Sequence, residues 1–246
     1  PPRSTPSNSS AASDVYKRQV YPVMGNHEAL LNTFQGISMD KWPYATDSAE
    51  AVFAEQFWNP RNGPEASDTR RPSYRENVYY FQYGPVLCVA FNNNYWWTTN
   101  RQCAKFGGCP EGFIMADQLE WIERVLRRAQ QDRTVKYIIL YAQEPVFPCG
   151  GHVKDGMWWN GDNKLRAWSR LGGKLQPSEA GMIEIRNRFW SAVAGSSKVA
   201  AVLTGDEHEY HRLLVDDKTP VGVLAADDKN KNGKLDDGQI SPNPAF

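Results

Sequence analysis

An α/β fold is what this sequence predicts, on three observations. Two amphipathic helical patterns, at 117–131 and from Ser178 to Gly195, are each followed within a few residues by a short apolar run, Val135–Ala142 and Val199–Thr204. A helix leading into a nearly continuous apolar strand, twice over, is the pattern of a sheet with helical crossovers, so strands covered by helices on both sides are expected. The third observation is bulk: the 246 residues include nine Trp, eleven Tyr and ten Phe, and 41 % are hydrophobic. That is enough apolar side chain for one large core without cross-links. The 28 Lys and Arg balance 28 Asp and Glu, so no global field is present to hold a nucleic acid or an anionic membrane surface. No apolar run approaches the roughly 20 residues of a spanning helix.

The elements follow in order. Residues 1–19 are rich in Pro, Ser, Asn and Ala and lack apolar periodicity; they read as a non-native segment, similar to a translated sequencing adaptor, or as a linker. Val20–Met24 is an apolar run that ends at Gly25 and predicts a buried strand. Asn77–Phe91 predicts two strands broken at the turn dipeptide Gly84-Pro85. Asp117–Gln131 sets Leu119, Ile122, Leu126 and Ala129 on one face and Glu and Arg on the other, a helix with one buried stripe. Val135–Ala142 is the next strand. Ser178, behind Pro177, predicts the N-cap of a helix lined by Met182, Ile185, Phe189 and Val193 that stops at Gly195. Val199–Thr204 is the last buried strand. Three segments result: 1–19, a domain over 20–224, and a tail over 225–246.

Cys103 and Cys109 flank a Gly-rich loop, and either a small disulfide between them or four free thiols (with Cys88 and Cys149) fits the spacing. No Cys-x-x-Cys pair exists, which argues against a thiolate zinc site.

Chemistry concentrates at strand ends. Gly25-Asn26-His27-Glu28 follows the first apolar run; glycine permits a sharp turn that presents the next side chains at the sheet edge. Gln143-Glu144-Pro145 leaves the strand ending at Ala142, with Gly150-Gly151-His152 beyond it. Gly205-Asp206-Glu207-His208, trailed by Tyr210-His211-Arg212, leaves the last strand. Three strand ends that offer oxygen and nitrogen donors are what a convergent site needs.

On these motifs the chain resembles the calcineurin-like metallophosphoesterase superfamily, nearest to its purple-acid-phosphatase-like branch. Gly-Asn-His-Glu is intact at 25–28. The strand-end His-containing motif appears as Gln143-Glu144-Pro145, and Gly-His-x-His appears as Gly205-Asp206-Glu207-His208. The resemblance runs from Val20 to about Val215. It implies a β-sandwich flanked by helices, and hydrolysis of a phosphate mono- or diester, small-molecule or macromolecular, at a dinuclear centre. Carried over by position, Asn26, Gln143 and Asp206 would hold the second metal, His208 the first, and His27 would protonate the leaving group. Apart from the carry-over, His152, His211 and Arg212 are candidate substrate contacts; His152 and His211 could equally support the ligands, and loop filling is the commoner reading of a histidine placed as His152 is. Gln143 and Asp206 stand where the family has His, so a hard ion (Mn, Fe or Mg) is expected rather than Zn. The family's Asp-x-His and Gly-Asp motifs normally lie upstream of Gly-Asn-His-Glu; only 24 residues precede Gly25 and neither motif is among them. The resemblance therefore implies a sandwich missing its first strands. For the chain as given, it implies poor solubility, at most one weakly held metal and activity near background.

Two features stand apart. Asp228, Asn230, Asn232 and Asp236 occupy positions 1, 3, 5 and 9 of a calcium-type loop with Gly233 at position 6, but position 12 is Gln239 rather than Glu. A weak calcium site and a plain polar Asn-Gly turn are both open readings. Tyr95-Trp96-Trp97 and Met157-Trp158-Trp159 either wall a substrate pocket or pack loops. The rival functional expectation is a non-catalytic module of the same fold, whose aromatic loops and calcium loop grip a glycan or protein partner. A disulfide and a calcium loop would both lean toward a secreted or periplasmic protein.

Overall fold

The computed structural model describes residues 19–29, 48–68, 70–98, 102–216, 218–236 and 238–241. The reading of 1–18 lies outside the described residues. A single turn, α1 (Asn26–Ala29), is followed by α2 (Ala49–Gln56), whose N-cap Ser48 accepts from the Ala51 amide at 3.0 Å. β1 (Tyr79–Tyr83) and β2 (Val86–Ala90) form the expected antiparallel hairpin, turning at Gly84 with φ of 55°. After α3 (Cys103–Phe106) come α4 (Ala116–Gln131) and β3 (Tyr137–Ala142). A small hairpin of β4 (Trp168–Leu171) and β5 (Lys174–Pro177) precedes α5 (Met182–Ala194), β6 (Val199–Thr204) and α6 (Leu224–Asp227).

The main sheet has the order β1-β2-β3-β6. β3 pairs in parallel with both β2 and β6, so the sheet is mixed. Its period of two sorts the side chains. Leu87, Val89, Ile138, Leu140 and Ala142 share one buried cluster with Leu119, Ile122, Leu126 and Ala129 of α4 and with Met182, Ile185, Phe189 and Val193 of α5. Both helices thus cover one face.

The other face differs from the expected helical cover. There Tyr21 stacks on Phe81 with ring centroids 3.8 Å apart, while Cys88 and Ile139 are half-buried and Leu203 is exposed. Val20–Met24 is not a strand, as the sequence suggested. It lies extended and unpaired, and its carbonyls are taken by side chains: Tyr79 Oη donates to Pro22 O at 2.7 Å and Tyr141 Oη to Tyr21 O at 3.3 Å. Pro22 has no amide to give a ladder, which removes one reason for this run to join the sheet.

The start of α5 also differs. Gly181, not Ser178, is the N-cap, and the cap is borrowed from afar: Asn163 Oδ1 accepts from the amides of Ile183 and Glu184 at 3.0 and 3.1 Å. A Cβ on Gly181 would sit 1.9 Å from Asn163 O, so only glycine lets Asn163 come this close. Ser178 Oγ instead donates to Ala180 O.

All four cysteines are free thiols. Burial pushes the Cys103 thiol up to about 12 and raises that of Cys109, so both stay protonated and pack as small apolar groups. Tyr95, Trp96 and Trp97 are buried, which settles that stretch as loop packing rather than a pocket wall. Trp158 stacks with the buried Arg186 guanidinium 4.9 Å above its ring. The segment after 225 packs on the body, with Leu235 buried beside Gly161 and a bridge between Asp162 and Lys234.

Candidate metal centre

Parallel strands β3 and β6 end side by side, and Gly205 N donates to Gln143 O at 3.0 Å, carrying the pairing one step past the sheet. The Gln143 side chain then folds between two glycines. Its Oε1 would lie 3.1 Å from a Cβ on Gly25 and 3.0 Å from one on Gly205. Both strand-end motifs use glycine for this close approach.

Asp206 follows in the left-handed region, φ 65°, an uncommon conformation for a non-glycine residue that Asp tolerates better than most. That turn sends its side chain inward. Asp206 Oδ1 accepts from Asn26 Nδ2 at 3.2 Å and Gln143 Nε2 at 3.3 Å, joining three segments of the chain. Its Oδ2 is buried without a hydrogen bond, although His152 Nδ1 stands 2.7 Å away in an ion-pair contact. The same Nδ1 meets Asp155 Oδ1 at 3.0 Å within a 3₁₀ turn. Burial opposes charge on this imidazole, but the Asp206 and Asp155 carboxylates outweigh it and hold its pKa above the ordinary value.

Two further acids border this junction. Glu111 has its carboxyl pushed up to about 7, by burial first and then by Asp155, with the Asn26 side chain pulling the other way. Glu144 is fully buried and its pKa is raised by burial, then by Glu111 and Asp206.

Of the sequence-derived residues, the structure brings together Asn26, Gln143, Asp206 and His152. His208 is exposed, and so is His27, whose backbone amide donates to Asn26 Oδ1 at 2.9 Å. His211 and Arg212 are exposed too, and His211 lines an apolar groove over β6 with Trp190, Leu213 and Leu214, away from the junction. Glu111, Glu144 and Asp155 were not singled out from the sequence. Glu144 sat inside the Gln143-Glu144-Pro145 motif and was a readable signal. Asp155 and Glu111 lie on loops, where nothing in the local pattern marks them.

His152, Asp155 and Asp206 could hold a metal ion: each presents one ligand atom, all within 4.8 Å of one another, and His152 Nδ1 is the neighbour of Asp206 Oδ2. A second group, Cys149, Glu207 and Glu209, is tied together differently: Cys149 N donates to Glu207 Oε1 at 2.8 Å and its Sγ to Glu209 Oε1 at 3.5 Å. Burial and the two carboxylates raise that thiol's pKa, which disfavours a thiolate ligand.

In the 228–239 loop, Asp228 accepts from the Asn232 and Gly233 amides at 3.0 and 2.8 Å. Asp236 Oδ2 accepts from both Asn230 and Asn232 side chains at 2.9 Å. The four side chains do converge, but the loop's own amides already occupy Asp236.

No family model matches the chain, and no curated protein and no solved structure matches it either.

Proposed function

We propose that this chain carries the centre of a metal-dependent phosphoesterase that hydrolyses phosphate mono- or diesters at a dinuclear site, within a sandwich of the metallophosphoesterase type. The observation that carries the reading is the junction at Asp206, where Asn26, from the first helical turn, and Gln143, past the end of β3, meet one carboxylate at 3.2 and 3.3 Å. Asn26, Gln143 and Asp206 would hold one ion and His208 would contribute to the other. Manganese, iron or magnesium suits this oxygen-rich set better than zinc. Bound cations would supply Lewis-acid polarisation and neutralise charge on the phosphate oxygens.

The side chains do the rest. His152, with Nδ1 held by Asp155 and Asp206, keeps Nε2 to donate to a phosphate oxygen and so orients the ester. His27, on the exposed first turn beside Asn26, reaches solvent and donates a proton to the departing alkoxide. His27→Ala should then slow esters of poor leaving groups at least tenfold more than nitrophenyl esters; equal losses would remove His27 from that role. The alternative of a non-catalytic surface gripping a glycan or protein would rest on Trp158 and Trp159, which are half-buried, because Tyr95, Trp96 and Trp97 are buried. Calcium at 228–239 would have to displace two hydrogen bonds from Asp236, which makes any such site weak.

The test is metal-dependent phosphate binding. Inorganic phosphate or vanadate should bind the manganese-loaded chain, fail to bind in chelator, and be lost in Asp206→Ala. Phosphate binding that ignores both manganese and Asp206 overturns the proposal.

A further inference from the structure

A second concave site lies beside the segment that leads to Asn26, and it shares no lining residue with the Asp206 junction. A pocket of about 520 Å³ opens among Gln19, Tyr21, the stretch 58–61 and Glu76. That volume falls in the range of small-molecule sites, roughly 300–1,000 Å³. Trp58 is 61 % exposed at its wall, so an indole face stands in water inside a concavity. Such a face is a platform for a ligand with one apolar side. Tyr21, whose ring stacks on Phe81 with centroids 3.8 Å apart, gives a second aromatic wall.

The remaining lining is polar and held in place before any ligand arrives. Glu76 is buried with φ of 64°, a conformation uncommon for a residue with a side chain. Its Oε1 accepts from Arg61 Nε at 3.1 Å, and its Oε2 stands 3.6 Å from Arg75 Nε. The Arg61 guanidinium is thus anchored by one edge. Its two amino groups, on an exposed side chain, have no hydrogen-bond partner among the described residues. Asn59 is buried and donates Nδ2 to Glu76 O at 2.8 Å, while its Oδ1 has no hydrogen-bond partner there. One pocket therefore offers an apolar platform, a planar pair of donors and an unanswered acceptor.

The charges of Arg61 and Glu76 cancel, so the lining has no net charge with which to select a phosphate or an ammonium group. A neutral polyol with one apolar face answers all three features. A pyranose ring is such a molecule: its C–H bonds form a face that lies on indole, and its rim hydroxyls both donate and accept. We infer that this pocket binds a neutral sugar, with the ring on Trp58, adjacent hydroxyls on the Arg61 amino groups and a further hydroxyl on Asn59. This site is distinct from the loop tryptophans 158 and 159, and it goes beyond the phosphoesterase reading.

The experiment titrates the purified chain, in chelator, with the methyl glycosides of glucose, galactose, mannose and N-acetylglucosamine. The Trp58 indole N–H signal is followed by nitrogen-15 NMR. At least one sugar should shift that signal, with a millimolar dissociation constant. Read by saturation transfer to the sugar protons, Trp58→Ala should weaken its binding at least tenfold and Arg61→Ala at least threefold. Trp58→Phe, which keeps a smaller platform, should recover part of the loss. Both side chains are exposed, so all three variants should keep the wild-type urea midpoint. No shift of the Trp58 signal by any of the four sugars overturns the inference, and so does sugar binding that survives Trp58→Ala. A shift produced by adenosine or inorganic phosphate, and by no sugar, overturns it too. Manganese-dependent phosphate binding is read at other residues, so the phosphoesterase reading stands or falls separately.

Discussion

Asp117 and Glu144 are acids beside the same core, one half-buried and one fully buried, and the fold treats them in opposite ways. Asp117, in the first turn of α4, accepts from Arg71, from the Ser67 amide at 2.9 Å, from Tyr74 Oη at 2.7 Å and from the Gln118 amide at 2.9 Å. Burial opposes its charge, but Arg71 and these hydrogen bonds outweigh it and hold the carboxyl below its ordinary value. Glu144 is buried more deeply, and burial, Glu111 and Asp206 raise its pKa against the Asn94 side chain, which favours its charge. A carboxylate that the protein answers fully is structural. One buried among other acids has its pKa raised and is held toward its protonated form.

The largest effect should come from breaking the satisfied side. Arg71→Ala removes the guanidinium from Asp117 while Ser67, Tyr74 and Gln118 still donate to it, and the chain should lose about 2–3 kcal/mol in urea unfolding. A loss under about 1 kcal/mol would mean Asp117 is solvated after all. The mirror experiment is Glu144→Leu, which should gain about 1–2 kcal/mol in urea unfolding in chelator at neutral pH, because it removes a buried carboxyl set among other acids. If Glu144→Leu destabilises the chelated protein, Glu144 already has a partner and the contrast collapses.

The two sides should also carry opposite pH signs in chelator. Asp117, with its pKa lowered, contributes stability above the ordinary carboxyl range and loses it as pH falls through the folded value. Glu111, raised to about 7, binds its proton more tightly when folded, so its contribution is full below about 4.3 and disappears as pH rises toward 7. Urea midpoints across pH 3–8 for Asp117→Asn and Glu111→Gln should therefore flatten opposite ends of the wild-type curve. Curves flattened at the same end would show one of the two environments to be misassigned. The smallest effect belongs to Gly205→Ala: its Cβ would meet Gln143 Oε1 at 3.0 Å, so Gln143 must give by a few tenths of an ångström. A stability change of about 1 kcal/mol or less, with a few-fold loss of manganese affinity, is expected. Unchanged affinity would show that Gln143 does not set the site's geometry.

What the sequence made legible follows from local physics. The α4 stripe of Leu119, Ile122, Leu126 and Ala129, the β1–β2 hairpin at Gly84 and the α5 face are periodic, and each is buried as expected. Val20–Met24 failed because apolarity alone cannot tell a paired strand from an extended segment whose carbonyls go to tyrosine hydroxyls. Ser178 failed because Asn163, fifteen residues upstream, supplies the cap. At the site, Asn26, Gln143 and Asp206 do meet, and the glycines at 25 and 205 that drew attention to them let the Gln143 side chain pass closely, although Val20–Met24 is not the expected strand. Glu111 and Asp155 were not readable, since only the hydrogen bond from Gly112 N to Asn93 O and the His152 turn hold those loops by the strand ends.

The most direct test of the claim that the Asp206 junction binds a cation is anomalous diffraction at the manganese edge, from crystals of this chain grown with manganese at neutral pH. An anomalous peak within coordination distance of Asp206 and its partners Asn26 and Gln143 is the predicted result. Well-ordered density for Asp206 with no peak beside it would contradict the account.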